Sequence, residues 1–516
     1  MSTAVVWFRN SLRIHDNPFL SWACNSEEVD SIVPVFLLDG YLTSVRDGEI
    51  GFNRFRFLVD CLKVLRDNLE KKMNLELKIY TGGALRNIES IFQNLDGENN
   101  FLAYEYCNKP RGLMLSSQIT EWSMKTPKNC IVKSFPAVHT LLDIEKTISS
   151  PTYFDPKSMK NMERIFMNNF DVDSFGYYNI NEPIPVPNKT KTNANVSISV
   201  NDISISELEL ELGTLFPDRL NERHYFRGGE DEALDRLSRK IAKQEDFVNR
   251  FSKPRTCSTN LDDNPSEPST TGLSPYITTG CISVRMLWKE CEKAYLNGEH
   301  TKPPESLHGQ LMFREMFYLL SRSVDNWDKS TNNINCKNIN WDEYDSEKMD
   351  SWESGMTGFP YIDAMMRQLD ETGWMHHLGR HAVSCFLTRG QMWQNWTAGR
   401  DVFEKKLLDA DWAVNNGNWL WLAGVAPFSM PYYRIYNPCP DSKSSLNVET
   451  KHANFIRRWV PELRFFPSKY IFEPHLAPLS IQISSKCIIG DDYPLPILDR
   501  KKTRKENLAR FKASIT

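Results

Sequence analysis

The stretch V-V-W-F-R-N-S-L-R-I-H-D-N-P (Val5 to Pro18) decides how the fold is read: V-V-W-F is an apolar run of strand length, and no glycine-rich turn follows it. Without G-x-G-x-x-G after the first strand the conventional dinucleotide fingerprint is missing, so this region need not bind NAD. Working outward, I-V-P-V-F-L-L-D (Ile32 to Asp39), E-L-K-I-Y (Glu76 to Tyr80), F-L-A-Y-E (Phe101 to Glu105) and C-I-V-K-S-F (Cys130 to Phe135) are further runs of strand length. Helical patterns lie between them, notably Asn53 to Leu69, where Phe57, Cys61, Val64, Leu65 and Asn68 recur at helical spacing. Strands alternating with helices predict a parallel, doubly wound sheet with right-handed crossovers over residues 1–140. Residues 141–225 turn polar, with P-I-P-V-P-N-K-T-K-T-N-A-N at Pro183 to Asn195, and read as a surface connector. From F-R-G-G-E (Phe226 to Glu230) helical patterning dominates. A second, nearly all-α domain is expected over 226–500 with a short tail at 501–516, and no repeat period suggests a solenoid.

Composition limits the function classes. The chain has 516 residues, 41% of them apolar and 25% charged, which fits globular domains with sizeable cores. Its eleven cysteines are scattered without a C-x-x-C pair, and no basic region with a hydrophobic run opens the chain, so an intracellular protein with reduced thiols is expected. No apolar stretch approaches the roughly 18 residues that span a bilayer, so no membrane partner is expected. The net charge of −4 argues mildly against a nucleic-acid binder, although a basic patch can hide in a neutral total. The run Arg500, Lys501, Lys502, Arg504, Lys505 reads as a solvated helix face, a nuclear import signal or a phosphate contact.

Eight of the fourteen tryptophans fall between Trp341 and Trp421. There G-W-M-H-H-L-G-R-H (Gly373 to His381), M-W-Q-N-W (Met392 to Trp396) and L-L-D-A-D-W-A-V-N-N-G-N-W-L-W (Leu407 to Trp421) mix indoles with acids, histidines and amides. An indole is large and its N–H wants a partner when buried, so a plain core would use Leu and Phe instead. A large, flat, polar-edged cofactor explains the mixture most simply. Asp409 and Asp411 must face donors, which a flavin offers at N3 and, when reduced, at N5. Trp393 and Trp396, three apart, would face one way on a helix, as core stripes also do.

Other segments leave two readings open. E-P-S-T-T-G-L-S-P-Y (Glu267 to Tyr276) suits a phosphate or an ordinary capped turn. Gln310 and Arg314, four apart, would share a helix face, either as a buried structural bond or as cavity lining with Arg314 balancing phosphate charge. His377 and His381 have the spacing of zinc ligands, but the glutamate of H-E-x-x-H and a third ligand are missing, so no metal is expected. The alternative is a pair sharing a proton near neutral pH for acid–base work, with Arg380 pairing Asp409 or Asp411.

Taken together, the motifs from Trp7–Pro18 to the final helices resemble the photolyase/cryptochrome family, most specifically between Trp341 and Trp421. The resemblance implies an N-terminal α/β domain, a long connector and a helical domain holding FAD. It carries the phosphate turn onto Thr270, Thr271, Leu273 and Ser274, and the flavin and substrate surround onto Gln310, Arg314, His377, Arg380, Asp409, Asp411 and Asn415, with Asn415 beside flavin N5. Trp419, Trp396 and Trp341 match the family's electron-transfer triad and Trp393 its fourth member. Gln310, His377 and His381 resemble the (6-4) photolyase and animal cryptochrome branch, in which His377 and His381 would be the acid–base pair. Phe313 stands where the family generally has a tryptophan that packs on the lesion, and is the candidate for stacking. The implied function is light-driven repair of (6-4) photoproducts in UV-damaged DNA. The alternative is a cryptochrome, a flavin light sensor or clock regulator acting through clock or signalling proteins. The short tail after the helical domain favours repair. A second antenna chromophore, folate or deazaflavin, is left unassigned. A monomer, in the nucleus and cytoplasm, is expected.

Overall fold

The computed structural model describes residues 2–516 apart from 98, 126–128, 175, 189, 195, 197–200, 253–254 and 260–263. The chain divides into two compact units, Met1–Asn249 with Leu273–Arg322, and Arg250–Gly272 with Ser323–Thr516.

The first unit is built on the predicted strands, β1 (Thr3–Phe8), β2 (Ser31–Leu37), β3 (Lys78–Tyr80), β4 (Asn99–Glu105) and β5 (Asn129–Phe135), all parallel in the order β3-β2-β1-β4-β5. Every residue of β1 and β2 is buried, as a parallel sheet covered on both faces requires. The predicted helix is α1 (Phe52–Met73); Phe57, Cys61, Leu65 and Asn68 face inward, while Val64 is half-buried.

The expected connector differs from a surface loop. It carries α2 (Met159–Asn169) and α3 (Ile205–Leu215), and Thr192–Asn193 pairs with β2 at the sheet edge. The reason is local: Met159, Met162, Ile165 and Phe166 make a buried helical face within a polar composition, and Ser204 with Glu207 closes a capping box. Part of the expected connector, at 189, 195 and 197–200, lies outside the described residues.

The boundary expected at 226 also moves. Residues 273–322, including α4 (Leu307–Ser323) in all but its last position, belong with the sheet because buried polar bonds tie them to it. The Arg13 guanidinium, fully buried, donates to the carbonyls of His15, Asp16, Val138 and Gly280. The carboxylate of Asp16 takes Arg285 at 2.8 and 3.0 Å and the Ser283 hydroxyl, and Glu315 accepts from Leu142 N at 3.0 Å. Glu230 accepts from His15 N and from Asn68 Nδ2 and contacts the His15 ring.

The second unit is helical, with α5 (Pro360–Thr372), α6 (His377–Cys385), α7 (Trp396–Lys406) and α8 (Trp412–Leu422). The tail expected at 501–516 lies in a 16-residue helix, α9 (Arg500–Ile515), capped by Asp499 and packed through Asn507 and Phe511, both buried. None of the described helices is long and apolar enough to cross a membrane.

Candidate functional site

Within the second unit Gly373, in the left-handed region at φ +71°, stops α5, and the chain restarts as α6 four residues later. His376 caps that start: its Nδ1 accepts from Leu378 N at 3.1 Å, so the ring proton sits on Nε2, 3.1 Å from the Thr256 hydroxyl. One turn on, Arg380 donates from Nε to Met375 O and from both terminal nitrogens to Asp409, at 3.0 and 2.9 Å. Of the two carboxylates open to Arg380, the fold thus selects Asp409 in a bidentate pair.

Asp411 does different work. Its Oδ1 accepts from Val414 N at 3.1 Å and caps α8, placing a buried carboxylate at the positive end of that helix. Asn415, one turn further, spends its amide nitrogen on Arg400 O at 3.2 Å and Glu404 Oε2 at 3.1 Å. That fixes the amide orientation and leaves Oδ1 as an acceptor with no donor among the described residues. An amide oxygen held this way, beside buried carboxylates and indoles, fits the N–H edge of a flavin. Among the described residues no cluster of three His, Cys, Asp or Glu could hold a metal.

His377 opens α6 and His381 follows one turn later, their ring centroids 5.9 Å apart at 75°. His381 is 6% exposed, packs edge-on against Trp421, and has its Nδ1 3.1 Å from the Tyr436 hydroxyl. Burial raises the pKa of Tyr436, so the phenol stays protonated. Its O–H can donate to a neutral His381, and its oxygen can accept from a protonated one. The ring is therefore held in both protonation states.

The tryptophans of the expected row are carried by several elements and not by one helix. Trp393 sits at φ +58° in an irregular turn, and α7 starts only at Trp396, with Asn395 Oδ1 accepting from Thr397 N at 3.2 Å. The expectation that Trp393 and Trp396 share a helix face is corrected: the backbone leaves its helix around Thr388, whose φ and ψ are −96° and −118°, and must be recapped before α7 begins. Trp419 lies against α7 at Gly399, where a Cβ would meet Trp419 Cη2 at 2.2 Å. Gly399 is three residues from Trp396 on that helix. Trp393 and Trp341 are 5.0 Å apart by centroids. The indole N–H of Trp419 is buried without a partner among the described residues, and that of Trp396 meets the Cys336 sulfur. Trp393 donates to Asn340 O at 2.8 Å.

The remaining candidates divide between the units. Thr270 and Thr271, half-buried, close the short segment of the second unit; Leu273 and Ser274 begin the later part of the first, where Ser274 opens a helix of only five residues. On α4, Gln310 donates to Pro304 O at 2.9 Å and does not accept from Arg314, whose guanidinium lies 4.6 Å over the Tyr318 ring; Phe313 between them is half-buried.

Sequence reasoning missed His376, Tyr436 and Arg389. The last is 1% exposed and donates to the carbonyls of Leu422, Tyr432 and Arg434, clamping the end of α8 to the loop after it. Nothing in the local spacing signals these partners, which lie 33 to 120 residues away in the chain.

Comparison with known proteins bears on both units. Residues 4–171 match the family model described as DNA photolyase, and residues 306–513 match the FAD binding domain of DNA photolyase. The chain is 35% identical over 513 residues to Cryptochrome-1 of Erithacus rubecula, covering 99% of this chain and 78% of that protein. It is also 35% identical over 531 residues to the (6-4)DNA photolyase of Arabidopsis thaliana, covering 98% of this chain and 87% of that one. A solved cryptochrome from Synechocystis sp. PCC6803 shares the fold, with a TM-score of 0.81 at 23% identity over 99% of both chains.

Proposed function

The chain belongs to the photolyase/cryptochrome family and carries that family's FAD-binding domain, and from that premise we propose that it repairs (6-4) photoproducts in DNA under light. The observation that supports repair most is His381, held by Tyr436 in either protonation state with the His377 ring 5.9 Å away. A group that keeps its place while it gains and loses a proton is what acid–base work on a lesion demands.

Bound FAD supplies the light-driven electron; the rest falls to this chain. Arg380, Asp409, Asp411 and Asn415 hold and orient the flavin ring, with Asn415 Oδ1 as acceptor. His381 delivers a proton to the lesion and recovers it, and His377 lies beside it as the second member of the pair. Phe313 is the candidate for stacking on the lesion, with less area than an indole and no N–H. Work on DNA implies a nuclear location. Arg500 is taken by Glu473 at 2.9 to 3.0 Å, so Lys501, Lys502, Arg504 and Lys505 are the exposed part of the basic run available to an import factor.

A second reading, a light-sensing or clock-regulating cryptochrome, is favoured by the equal identity to Cryptochrome-1. One experiment separates them. FAD-loaded protein is illuminated with an oligonucleotide carrying a single (6-4) lesion, and restored pyrimidines are counted. Repair that falls by roughly 10²- to 10⁴-fold in His381→Ala is expected. No repair by protein whose FAD is bound and photoreducible would overturn the enzyme and leave the sensor.

A further inference from the structure

The far end of the tryptophan row is covered by α9, and the cover is charged. Arg510 places its guanidinium carbon 4.5 Å above the Trp393 ring, and Phe511 packs edge-on against Trp393 and Trp341 at 6.3 and 6.4 Å. Three bonds hold this arrangement. Arg510 pairs with Asp342, whose backbone N donates to Trp393 O at 3.1 Å, and Asn507 donates to Gln391 O at 3.0 Å. Phe511 also stacks on Tyr432 at 4.9 Å with planes 3° apart, so α9 cannot slide freely over the ring.

A cation over a neutral indole is attracted to its π face; the same cation repels that indole once it has lost an electron. The neighbours of Trp393 make its oxidation worse still. The ring is 1% exposed, and its N–H is bound to the Asn340 carbonyl, which is too weak a base to take the proton. Trp341, 5.0 Å away, is half-buried, its N–H meets no acceptor among the described residues, and water can both solvate a positive charge there and accept the proton.

We propose that Arg510 is a positioning residue that keeps the oxidising equivalent off Trp393 and directs it to Trp341. The inference rests on reading the row as an electron path. In that step Trp341 loses one electron to the oxidised neighbour further along the row, which is restored. Its indole N–H proton then passes to water, leaving a neutral indolyl radical.

The test needs no flavin. FAD-free protein is flash-oxidised with a soluble ruthenium polypyridyl sensitiser and persulfate as electron acceptor, and the neutral indolyl radical is counted by EPR. With Arg510 present, Trp341→Phe should lower the radical yield about tenfold, a factor within the range of a desolvated cation–π contact. In an Arg510→Gln background the same substitution should cost less than about twofold, because Trp393 takes over, and Arg510→Lys should restore the original dependence. An unchanged cost of Trp341→Phe in Arg510→Gln overturns the proposal. Should Arg510→Gln fail to fold, Asp342→Asn loosens the same guanidinium and must shift the dependence the same way. Photoreduction of FAD-loaded Trp419→Phe is a separate control: unchanged kinetics would remove the electron path as a whole, whatever Arg510 does.

Discussion

Two buried polar arrangements in this chain settle their hydrogen bonds in opposite ways. In the first unit, Arg13, Asp16 and Glu230 form a knot in which buried charge is met by carbonyls, hydroxyls, amides and an arginine. In the second, Trp419 is buried with an indole N–H that bonds to nothing described, and the buried Trp396 meets only the Cys336 sulfur. Leaving a buried donor unmade costs about 1–3 kcal/mol, so such groups persist where packing or function needs the ring itself. The knot satisfies its buried charges in full; in the row, the Trp419 ring is kept buried at the cost of an unbonded N–H.

Substitutions can break that contrast, and the largest effect should come from the row. Trp419→Phe removes the ring against Gly399, and flavin photoreduction followed by absorbance under blue light should slow by tenfold or more, about 1.4 kcal/mol in barrier or beyond. Stability should fall by only about 1–3 kcal/mol, the cost of the cavity left by the smaller ring, because the lost N–H had no partner among the described residues. If the melting temperature collapses while photoreduction holds, the contrast is reversed. The knot should show the opposite: Arg13→Met leaves buried carbonyls unpaired and should cost about 3–5 kcal/mol in chemical denaturation without changing the flavin spectrum of the protein that remains folded.

Glu230 sharpens the comparison with pH. Burial alone would raise its carboxyl, but the bonds from His15 and Ile14 outweigh burial and hold it below the usual carboxylate range. A lowered folded-state value means stability present above the ordinary pKa of about 4.5 and lost as pH falls through the folded value. Glu230→Gln should therefore cost about 1.5–3 kcal/mol at pH 7, and its difference from the parent should shrink below pH 4.5 in urea titrations at stepped pH. A gap that stays constant down to pH 3 would show that shape and not charge is what Glu230 contributes. The smallest effect is at a helix end: Asn395→Ala removes the cap of α7 and should cost about 1 kcal/mol in thermal unfolding. It should also slow photoreduction slightly, since Trp396 is the first residue behind that cap.

Much of the first unit was legible because a strand buried on both faces writes itself as an apolar run. The five predicted runs are the five strands of the sheet path, and α1 extends the predicted Asn53–Leu69 by a few residues at its ends. The connector was misread because composition was weighed there and periodicity was not: Met159, Met162, Ile165 and Phe166 already spelled a helix inside polar sequence. In the candidate site, Asp411 stood out as one of two carboxylates amid apolar residues and Asn415 through the family resemblance; the structure adds that Asp411 caps the helix whose first turn carries Asn415. Trp393 and Trp396 misled for the converse reason, since spacing of three implies one face only if the helix is continuous.

By itself the sequence determined what is local: strand positions, helix starts and stops, and the dense mixture of indoles and acids between Trp341 and Trp421. It also carried the family, because those motifs are specific in their order and spacing. Only the tertiary structure decided which partner each polar group takes. Arg380 had two carboxylates within reach in sequence and took Asp409; His381 found Tyr436; Arg510 came to rest over Trp393 from more than a hundred residues away. The physical reason is that periodicity reports which face of an element is buried. Which groups then meet across that buried face depends on loop closure and packing over the whole chain, and no short window of sequence contains those terms.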